Sequence, residues 1–472
     1  MYKYIWDEET GGLLLTTEQE KMSKEPRPVY YKELDILGFD QFWNYPKDDS
    51  APLLWAEANN YIYKGRTVAR TKGGSLYTKP ELILLEEPEP NGESLQFVDV
   101  SAMCQKNQDL METLAQETIR NIYNTYQEYK EKVDVFYVAF SGGKDSVVAL
   151  DLVQRALPHN AFKVLFGNTD MEFPSTLNLI EDLRKYCQNN NIEFYEAKAP
   201  FSAYESWNKF GPPARKVRWC CTVHKTAPVI NKLCEVYGYE KLRSVMITGV
   251  RGDESASRSE YDEVSFSKKI FGQYSFHPIL TWSSAEVFLY MYSNKLLFNE
   301  AYKIGFNRVG CIMCPNSTGK HEYFKMQVFS NQVNEYCKII LNTSQKELGG
   351  NNGMIFLEDG GWKARLSGRD LNCAPIEKVS FEEKKSTLEF SVYKLNDNWK
   401  IWYKTVGSID GEYPDYTLEY NGVFRKCKLI KNQEITNFIV DNNFRNKNSI
   451  EFQTVDKPYF GIFAKIGFSH LF

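Results

Sequence analysis

At 472 residues the chain exceeds one ordinary hydrophobic core, and two or three domains are expected. Its 43% apolar and 25% charged content is that of a soluble globular protein. A formal charge of −4 gives no global electrostatic reason to expect nucleic acid, so any such contact must come from a local patch. The charged N-terminus lacks the apolar segment of a signal peptide, and no apolar run reaches membrane-spanning length. Ten cysteines, several in tight pairs within an α/β pattern, point to metal chemistry in a reducing, cytoplasmic compartment rather than to a disulfide framework.

Residues 1–100 read as a β-rich unit. Short apolar runs at Gly12–Thr16, Val29–Tyr31 and Leu82–Leu85 are separated by Gly, Pro and Asp punctuation. Tyr61–Lys72 has the pattern of a hairpin turning at Lys64–Gly65. From Ala58 to Pro80 there are five basic residues (Lys64, Arg66, Arg70, Lys72, Lys79), three tyrosines and no acid. Such a run either tracks a phosphate backbone and stacks bases, or is an edge strand kept unpaired by its charges. The acidic, Pro-rich stretch Glu86–Glu93 marks the first boundary.

The second unit spans 101–345. A helix is expected from about Asp109 to Lys130, followed by a β-branched and aromatic strand, Val133–Phe140. The strand runs directly into Ser141-Gly142-Gly143-Lys144-Asp145-Ser146 and an apolar helical face. Strands at Phe162–Phe166, Ile192–Tyr195 and Ser244–Thr248 alternate with helices at Thr176–Asn189 and Cys221–Tyr237. That alternation predicts an α/β fold with a doubly wound, mostly parallel sheet whose ligands collect at the carboxyl ends of the strands. Helices at about Ser284–Lys295 and Lys320–Leu341 follow. Glu347–Gly353 is the second boundary. Residues 346–472 are again β-rich, with Thr387–Lys394 expected to pair with Trp399–Tyr403 through a turn at Asn396–Asn398. This last unit carries a basic cluster, Arg425, Lys426, Lys428 and Lys431.

Four segments carry chemistry. In Ser141–Ser146 two glycines let backbone N–H groups close around an anion, and two serines, a lysine and a helix N-terminus add donors and charge. Asp170, at the end of the next strand, is placed to hold a magnesium ion bridging phosphates or to accept from adenine or ribose. Cys220-Cys221 and Cys311-x-x-Cys314 make a four-thiolate set that suits an iron–sulfur cluster or zinc, or else is a group of plain buried cysteines. The loop Gly249–Arg258 offers Arg251 and Arg258 as a clamp for phosphate or sulfate, or is a surface loop of Arg–carboxylate pairs.

Taken together, residues 130–318 resemble the phosphoadenosine-phosphosulfate reductase family, of the adenine-nucleotide α-hydrolase-like fold. The Ser-Gly-Gly-x-Asp-Ser stretch resembles its phosphate loop (the PP-loop), and Cys220-Cys221-x-x-His224-Lys225-x-x-Pro228 resembles the cysteine motif of its cluster-bearing members, with His224 in place of Arg. Thr248–Arg258 is similar to the substrate-anion loop, and Asn299 precedes Gly310-Cys311 as in that family. The resemblance implies a 4Fe-4S cluster on Cys220, Cys221, Cys311 and Cys314. It places ATP or adenylyl sulfate on Ser141, Gly142, Gly143, Lys144, Asp145, Ser146, Asp170, Gly249, Arg251 and Arg258. Catalytic roles fall on Lys144, Asp145, Lys225 and Arg251.

The family's reductases finish with a Glu-Cys-Gly-Leu-His tail. This chain ends Gly467–Phe472, contains no Glu-Cys-Gly, and has only Cys373 and Cys427 as isolated cysteines late in the chain. The pattern looks closer to family members that adenylate an acceptor and insert sulfur. The reading is therefore an ATP-using, sulfurtransferase-like enzyme, with nucleic acid as a possible acceptor and a protein as a possible sulfur donor. Its rivals are a sulfonucleotide reductase and a nucleotide-binding subunit of a nucleic-acid-associated assembly.

Overall fold

The computed structural model describes residues 1–215, 218–239, 242–267, 270, 272–317, 319–343, 351–364, 379–384, 387–393, 395, 399–400, 408–420 and 423–441. Strands β1 (Tyr2–Asp7) and β2 (Gly12–Gln19) form an antiparallel pair. Strands β3 (Arg27–Val29), β4 (Leu54–Glu57), β5 (Asn60–Tyr63), β6 (Arg66–Lys72) and β7 (Glu81–Leu84) make a five-stranded antiparallel sheet in that order. The strand expected at Val29–Tyr31 stops at Val29, because Tyr31 opens helix α1 (Tyr31–Leu37), closed by Gly38 at φ 82°.

The hairpin turns where expected, with Lys64 and Gly65 both at positive φ (45° and 81°), as a tight two-residue hairpin requires. It is not an edge: β5 and β6 are flanked by β4 and β7. Tyr61 and Tyr63 lie in the core, 0% and 2% exposed, so neither is available to stack a base. Tyr61 belongs to a sealed polar group. Arg27 donates two hydrogen bonds of 2.6 Å to Glu33, the Tyr61 hydroxyl donates to Glu33 at 2.7 Å, and the Lys320 ammonium donates to Ala58 O at 3.1 Å and Tyr61 Oη at 3.4 Å.

Helices α2 (Val100–Lys106) and α3 (Gln108–Tyr129) lead into the central unit. Its elements are β8 (Val135–Phe140), α4 (Lys144–Ala156), β9 (Lys163–Asn168), α5 (Pro174–Asn189), β10 (Glu193–Lys198) and α6 (Ala203–Phe210). Then come α7 (Trp219–Cys221), a π-helical turn (Thr222–Thr226), α8 (Ala227–Tyr237), β11 (Ser244–Ile247), β12 (Val264–Phe266), β13 (Gln273–Phe276) and α9 (Ser284–Ser293). The sheet order is β10-β9-β8-β11-β13-β12, parallel throughout except for β12. This is the doubly wound α/β sheet that the alternation predicts. Strand order reverses between β8 and β11, so their carboxyl ends diverge and open a crevice, the usual ligand position in such sheets. The apolar residues of β8, α4 and α9 pack into one cluster that holds the crevice floor rigid.

Helices α10 (Lys320–Thr343) and α11 (Asn351–Glu358) follow. A second cluster joins α10 to the five-stranded N-terminal sheet, to α6 and to the cysteine-bearing segments. The last sheet is antiparallel, ordered β14 (Val379–Glu383), β15 (Thr387–Tyr393), β19 (Ile435–Asp441), β18 (Val423–Asn432), β17 (Asp415–Tyr420), β16 (Ser408–Glu412). The partners of β15 are β14 and β19 rather than Trp399–Tyr403, of which Trp399 and Lys400 are helical. The turn at Asn396–Asn398, residues 401–403, Cys373 and Gly467–Phe472 lie outside the described residues. No described helix is long and apolar enough to cross a membrane.

Candidate functional site

The six-residue turn after β8 is held in one shape by its own hydrogen bonds and by its neighbours. Gly142 has φ 73°, and a Cβ there would meet Thr176 Cγ2 at 2.7 Å, so only glycine fits. The Ser141 N–H and hydroxyl both donate to Ser146 Oγ at 3.2 Å, and the Ser146 hydroxyl donates to Gly143 O at 2.8 Å, which closes the loop on itself. Asn299 braces it from outside, its amide donating to Gly142 O and Thr176 Oγ1, each at 3.0 Å. The Lys144 N–H donates to the Tyr302 hydroxyl at 2.8 Å. Gly249 lets the loop after β11 touch the turn, since a Cβ there would lie 2.4 Å from the Asp145 carbonyl.

Lys144 is 3% exposed, and its ammonium donates to Asp145 at 2.8 Å. Burial pushes it below the ordinary lysine range, against the pull of Asp145. Burial alone would raise the Asp145 carboxyl, but Lys144 and Arg251 hold it down at about 2. Arg251, expected as an anion clamp, is 1% exposed and fully engaged. Its Nε donates to Asp145 at 2.6 Å, and its two Nη atoms face Asp253 at 3.5 Å and Glu25 at 3.0 Å. It therefore reaches the cradle only through Asp145.

A cleft of about 450 Å³ opens beside the turn, a size that suits a small ligand. One wall is the sheet (Tyr137, Ala139, Leu165, Gly167) and the other is the π turn and α8 (Lys225, Thr226, Val229, Ile230). It runs back along β8 toward Tyr137, Met246 and Gln273, roughly 10 Å at the rise of a strand. Lys225, Arg258 and Arg308 supply its cations. Burial and the neighbouring Arg308 lower the Arg258 guanidinium, the mark of two like charges held together, with Glu254 paired to Arg258. Cations beside the turn and a largely apolar slot behind it are the chemistry that suits a phosphorylated heterocycle.

Of the residues that the sequence singles out, Ser141, Gly143, Asp145, Ser146, Lys225, Gly249 and Arg258 line the cleft. Asp170 does not. Its backbone is left-handed (φ 63°), and its carboxylate faces Lys198 at 2.5 Å and the Ala203 N–H at 3.1 Å, at the start of α6. Lys144 also stays behind the wall, covered by Tyr302 and Phe288. Sequence reasoning missed Arg308, Tyr302 and Gln273. Only Arg308 left a trace, as a lone cation shortly before Gly310-Cys311.

The four cysteines converge on two braced segments. Cys220 and Cys221 open the helix, which the π turn carries past His224 and Lys225. The loop from Cys311 to Cys314 is pinned by Ile312 N–H to Met171 O at 2.8 Å and by Lys325 Nζ to Cys311 O at 3.1 Å. The Cys311 thiol lies 3.4 Å from Thr169 Oγ1. Hydrogen bonding to Cys220 and the cations Arg218 and Lys225 bring the Cys221 thiol down to about 6, while Cys220 is pushed up by that bond and by burial. Burial raises Cys311 to about 12, with Glu172, Cys314 and Cys221 adding to it. Four soft donors that feel one another, with cations beside them, fit thiolate ligation chemically. Among the described residues, however, no group of three or more His, Cys, Asp or Glu side chains is drawn close enough to hold a metal ion.

Residues 135–317 match the family model described as the phosphoadenosine phosphosulfate reductase domain. An uncharacterized protein of Methanocaldococcus jannaschii is 34% identical over 243 residues, covering 50% of this chain and 48% of that protein. A second from the same organism is 28% identical over 284 residues, 60% of this chain and 64% of that protein. The chain thus spans about half of one archaeal relative and under two thirds of the other. The adenosine 5'-phosphosulfate reductase of Bacillus anthracis is 25% identical over 195 residues, 41% of this chain and 80% of the reductase. The crystal structure of the phosphoadenylyl-sulfate reductase of Candida auris aligns at 21% identity with a TM-score of 0.32, over 45% of this chain and 96% of that one.

Proposed function

We propose, for a chain whose central domain belongs to the phosphoadenosine phosphosulfate reductase family, that the cleft binds ATP and adenylates an acceptor as the first step of sulfur transfer. The observation that carries this reading is the cleft itself, with the closed Ser141–Ser146 turn and three cations at one end and the Tyr137–Met246–Gln273 slot at the other. In this reading an acceptor oxygen attacks the α-phosphorus, the bond to the bridging oxygen breaks, and pyrophosphate leaves with its electron pair. The acceptor proton passes to solvent, and a sulfur nucleophile then displaces AMP.

Lys225, Arg258 and Arg308 offset charge on the leaving pyrophosphate, and the Tyr302 hydroxyl, which accepts from the Lys144 N–H, keeps its own proton for a phosphate oxygen. Such transfer asks mainly for positioning and charge stabilisation. A magnesium ion on the phosphates would find two carboxylates in the cleft lining, Asp145 and Glu254. Cys220, Cys221, Cys311 and Cys314 are the residues to hold a 4Fe-4S cluster or zinc, and a cluster when bound supplies a centre that holds or relays sulfur. Lys225 links the two places, because it lines the cleft and also lowers the Cys221 thiol.

Nucleic acid is the acceptor class this reading favours, approached through the exposed Arg70 and Lys72 of β6, Lys79, and Lys426 and Lys428 of β18. With Tyr61 and Tyr63 buried, that contact rests on phosphate charge alone. Reduction of a sulfonucleotide would need an attacking thiol, and among the described residues no cysteine lines the cleft. Release of pyrophosphate from ATP in the presence of acceptor supports adenylation. Release of sulfite from adenylyl sulfate with a thiol reductant overturns it in favour of reduction.

A further inference from the structure

The connector between β2 and β3, residues 20–26, lies outside the matched stretch 135–317 yet closes on the support of the anion loop. The Ser23 N–H and hydroxyl both donate to the Asp253 carboxylate, at 2.6 and 2.5 Å. Asp253 has a fully buried side chain, and its other partner is Arg251. Two residues on, Glu25 takes a left-handed backbone (φ 48°), uncommon for a non-glycine residue, and its carboxylate accepts from Arg251 Nη2 at 3.0 Å. The connector is tied down between them, with Lys24 facing Glu57 of β4 at 3.3 Å and the Glu25 N–H donating to Ser23 Oγ at 3.0 Å.

The Arg251 guanidinium thus has a carboxylate on every donating edge, Asp145, Asp253 and Glu25. A planar fork held on all sides cannot swing into the cleft to take a phosphate. Its remaining effect on the cradle is to fix Asp145, which in turn holds Lys144. The Glu25 charge is also felt at Lys144, where it opposes the lowering by burial.

We infer that this N-terminal connector is a working part of the nucleotide site, with Ser23 and Glu25 as positioning residues that hold Arg251 against Asp145 and so set the geometry of the Ser141–Ser146 loop. The inference rests on the reading of that loop as a nucleotide cradle, and it gives the N-terminal unit a role in the chemistry of the central one.

The test compares wild type with Ser23→Ala, Glu25→Gln, the double variant and Ser23→Thr, using full-length protein. Amide hydrogen exchange across residues 141–147 is read without ligand, and ATP affinity by calorimetric titration. The double variant should exchange about tenfold faster in the loop and bind ATP about tenfold more weakly, as expected for loss of charged hydrogen bonds. Exchange in β5 and β6 should stay near wild type, and Ser23→Thr, which keeps the hydroxyl, should match wild type in both readouts where Ser23→Ala does not. Glu25→Gln, which keeps an acceptor and removes only charge, is the variant to read if the double change impairs folding. Unchanged loop exchange together with unchanged ATP affinity overturns the inference. A wild type that binds no ATP overturns the nucleotide reading instead, and the ligand-free exchange still decides whether the connector governs the loop.

Discussion

Two of the buried groups of charges among the described residues look alike on paper and differ in what borders them. In the first, Arg27, Glu33, Tyr61 and Lys320 lie at 0–5% exposure, sealed between the N-terminal sheet and α10, and every charge meets a protein partner. In the second, Lys144 and Arg251 are buried as deeply, while Asp145 between them is 16% exposed and lines a cleft. A sealed set of this kind holds two elements in register. The same residue types at the rim of a crevice hold a loop in shape for something that comes and goes. Burial and pairing do not separate a staple from a site; access does.

The largest expected effect separates the two groups directly. Arg27→Ala leaves Glu33 charged and buried with fewer partners, and should destabilise the fold by about 3–5 kcal/mol. Denaturant unfolding measures it, and ATP affinity in the folded fraction should not change. Asp145→Ala should also cost stability, since Lys144 and Arg251 lose that carboxylate, but unlike Arg27→Ala it should abolish turnover and weaken ATP binding by about a hundredfold in the folded fraction. Were Arg27→Ala to spare stability and abolish nucleotide binding, the distinction would collapse.

The cysteine set gives the next effect. Protein prepared without oxygen should be brown and hold about four irons per chain, and Ser in place of any one of Cys220, Cys221, Cys311 or Cys314 should lose most of it. One tightly bound zinc and no iron in such material would make the centre structural.

Proton linkage sharpens the comparison further. Burial, with Arg27 beside it, lowers Lys320 to about 7, so the unfolded chain binds more protons than the folded one between about pH 7 and the usual lysine value of 10.5. That group makes stability rise with pH across this window, and Lys320→Met should remove its share of the rise. Asp145 has the opposite sense. Held at about 2 by Lys144 and Arg251 against burial, it contributes stability above its unfolded value near 4 and loses it as pH falls toward 2. The difference in acid unfolding between wild type and Asp145→Asn reads that contribution.

The smallest effect concerns the outer basic residues. Arg70→Glu, Lys72→Glu and Lys79→Glu together should flatten the salt dependence of DNA or RNA binding by at most about three units of log–log slope, leaving ATP binding intact. No measurable nucleic-acid binding by wild type at low salt removes that acceptor class.

How much of this was legible in the sequence follows the range of the interactions. The strand–turn–helix around Ser141–Ser146 was readable because its signal is local: buried β8 runs straight into glycines whose Cβ positions are filled by neighbours. The short strands β12 and β13, of three and four residues, gave no periodicity to read. Arg251 and Asp170 were legible as polar residues at strand ends, but their partners were not, because Glu25 and Lys198 come from other segments. The tyrosines of the hairpin looked like a stacking surface because basic residues alternate with them. Nothing local says that this face is covered by α1 and α10, which share its core cluster. Arg308 belongs to no motif, and only the folded chain brings it beside Arg258.

The central claim is that an adenine nucleotide lies in the cleft with its phosphates against the turn and the cations Lys225, Arg258 and Arg308. Calorimetric titration of ATP and AMP into wild type and Arg308→Ala tests it most directly. The account predicts that wild type binds ATP at least about tenfold more tightly than AMP, and that Arg308→Ala erases most of that preference while AMP affinity holds. Equal affinity for the two nucleotides, untouched by the loss of Arg308, would contradict it.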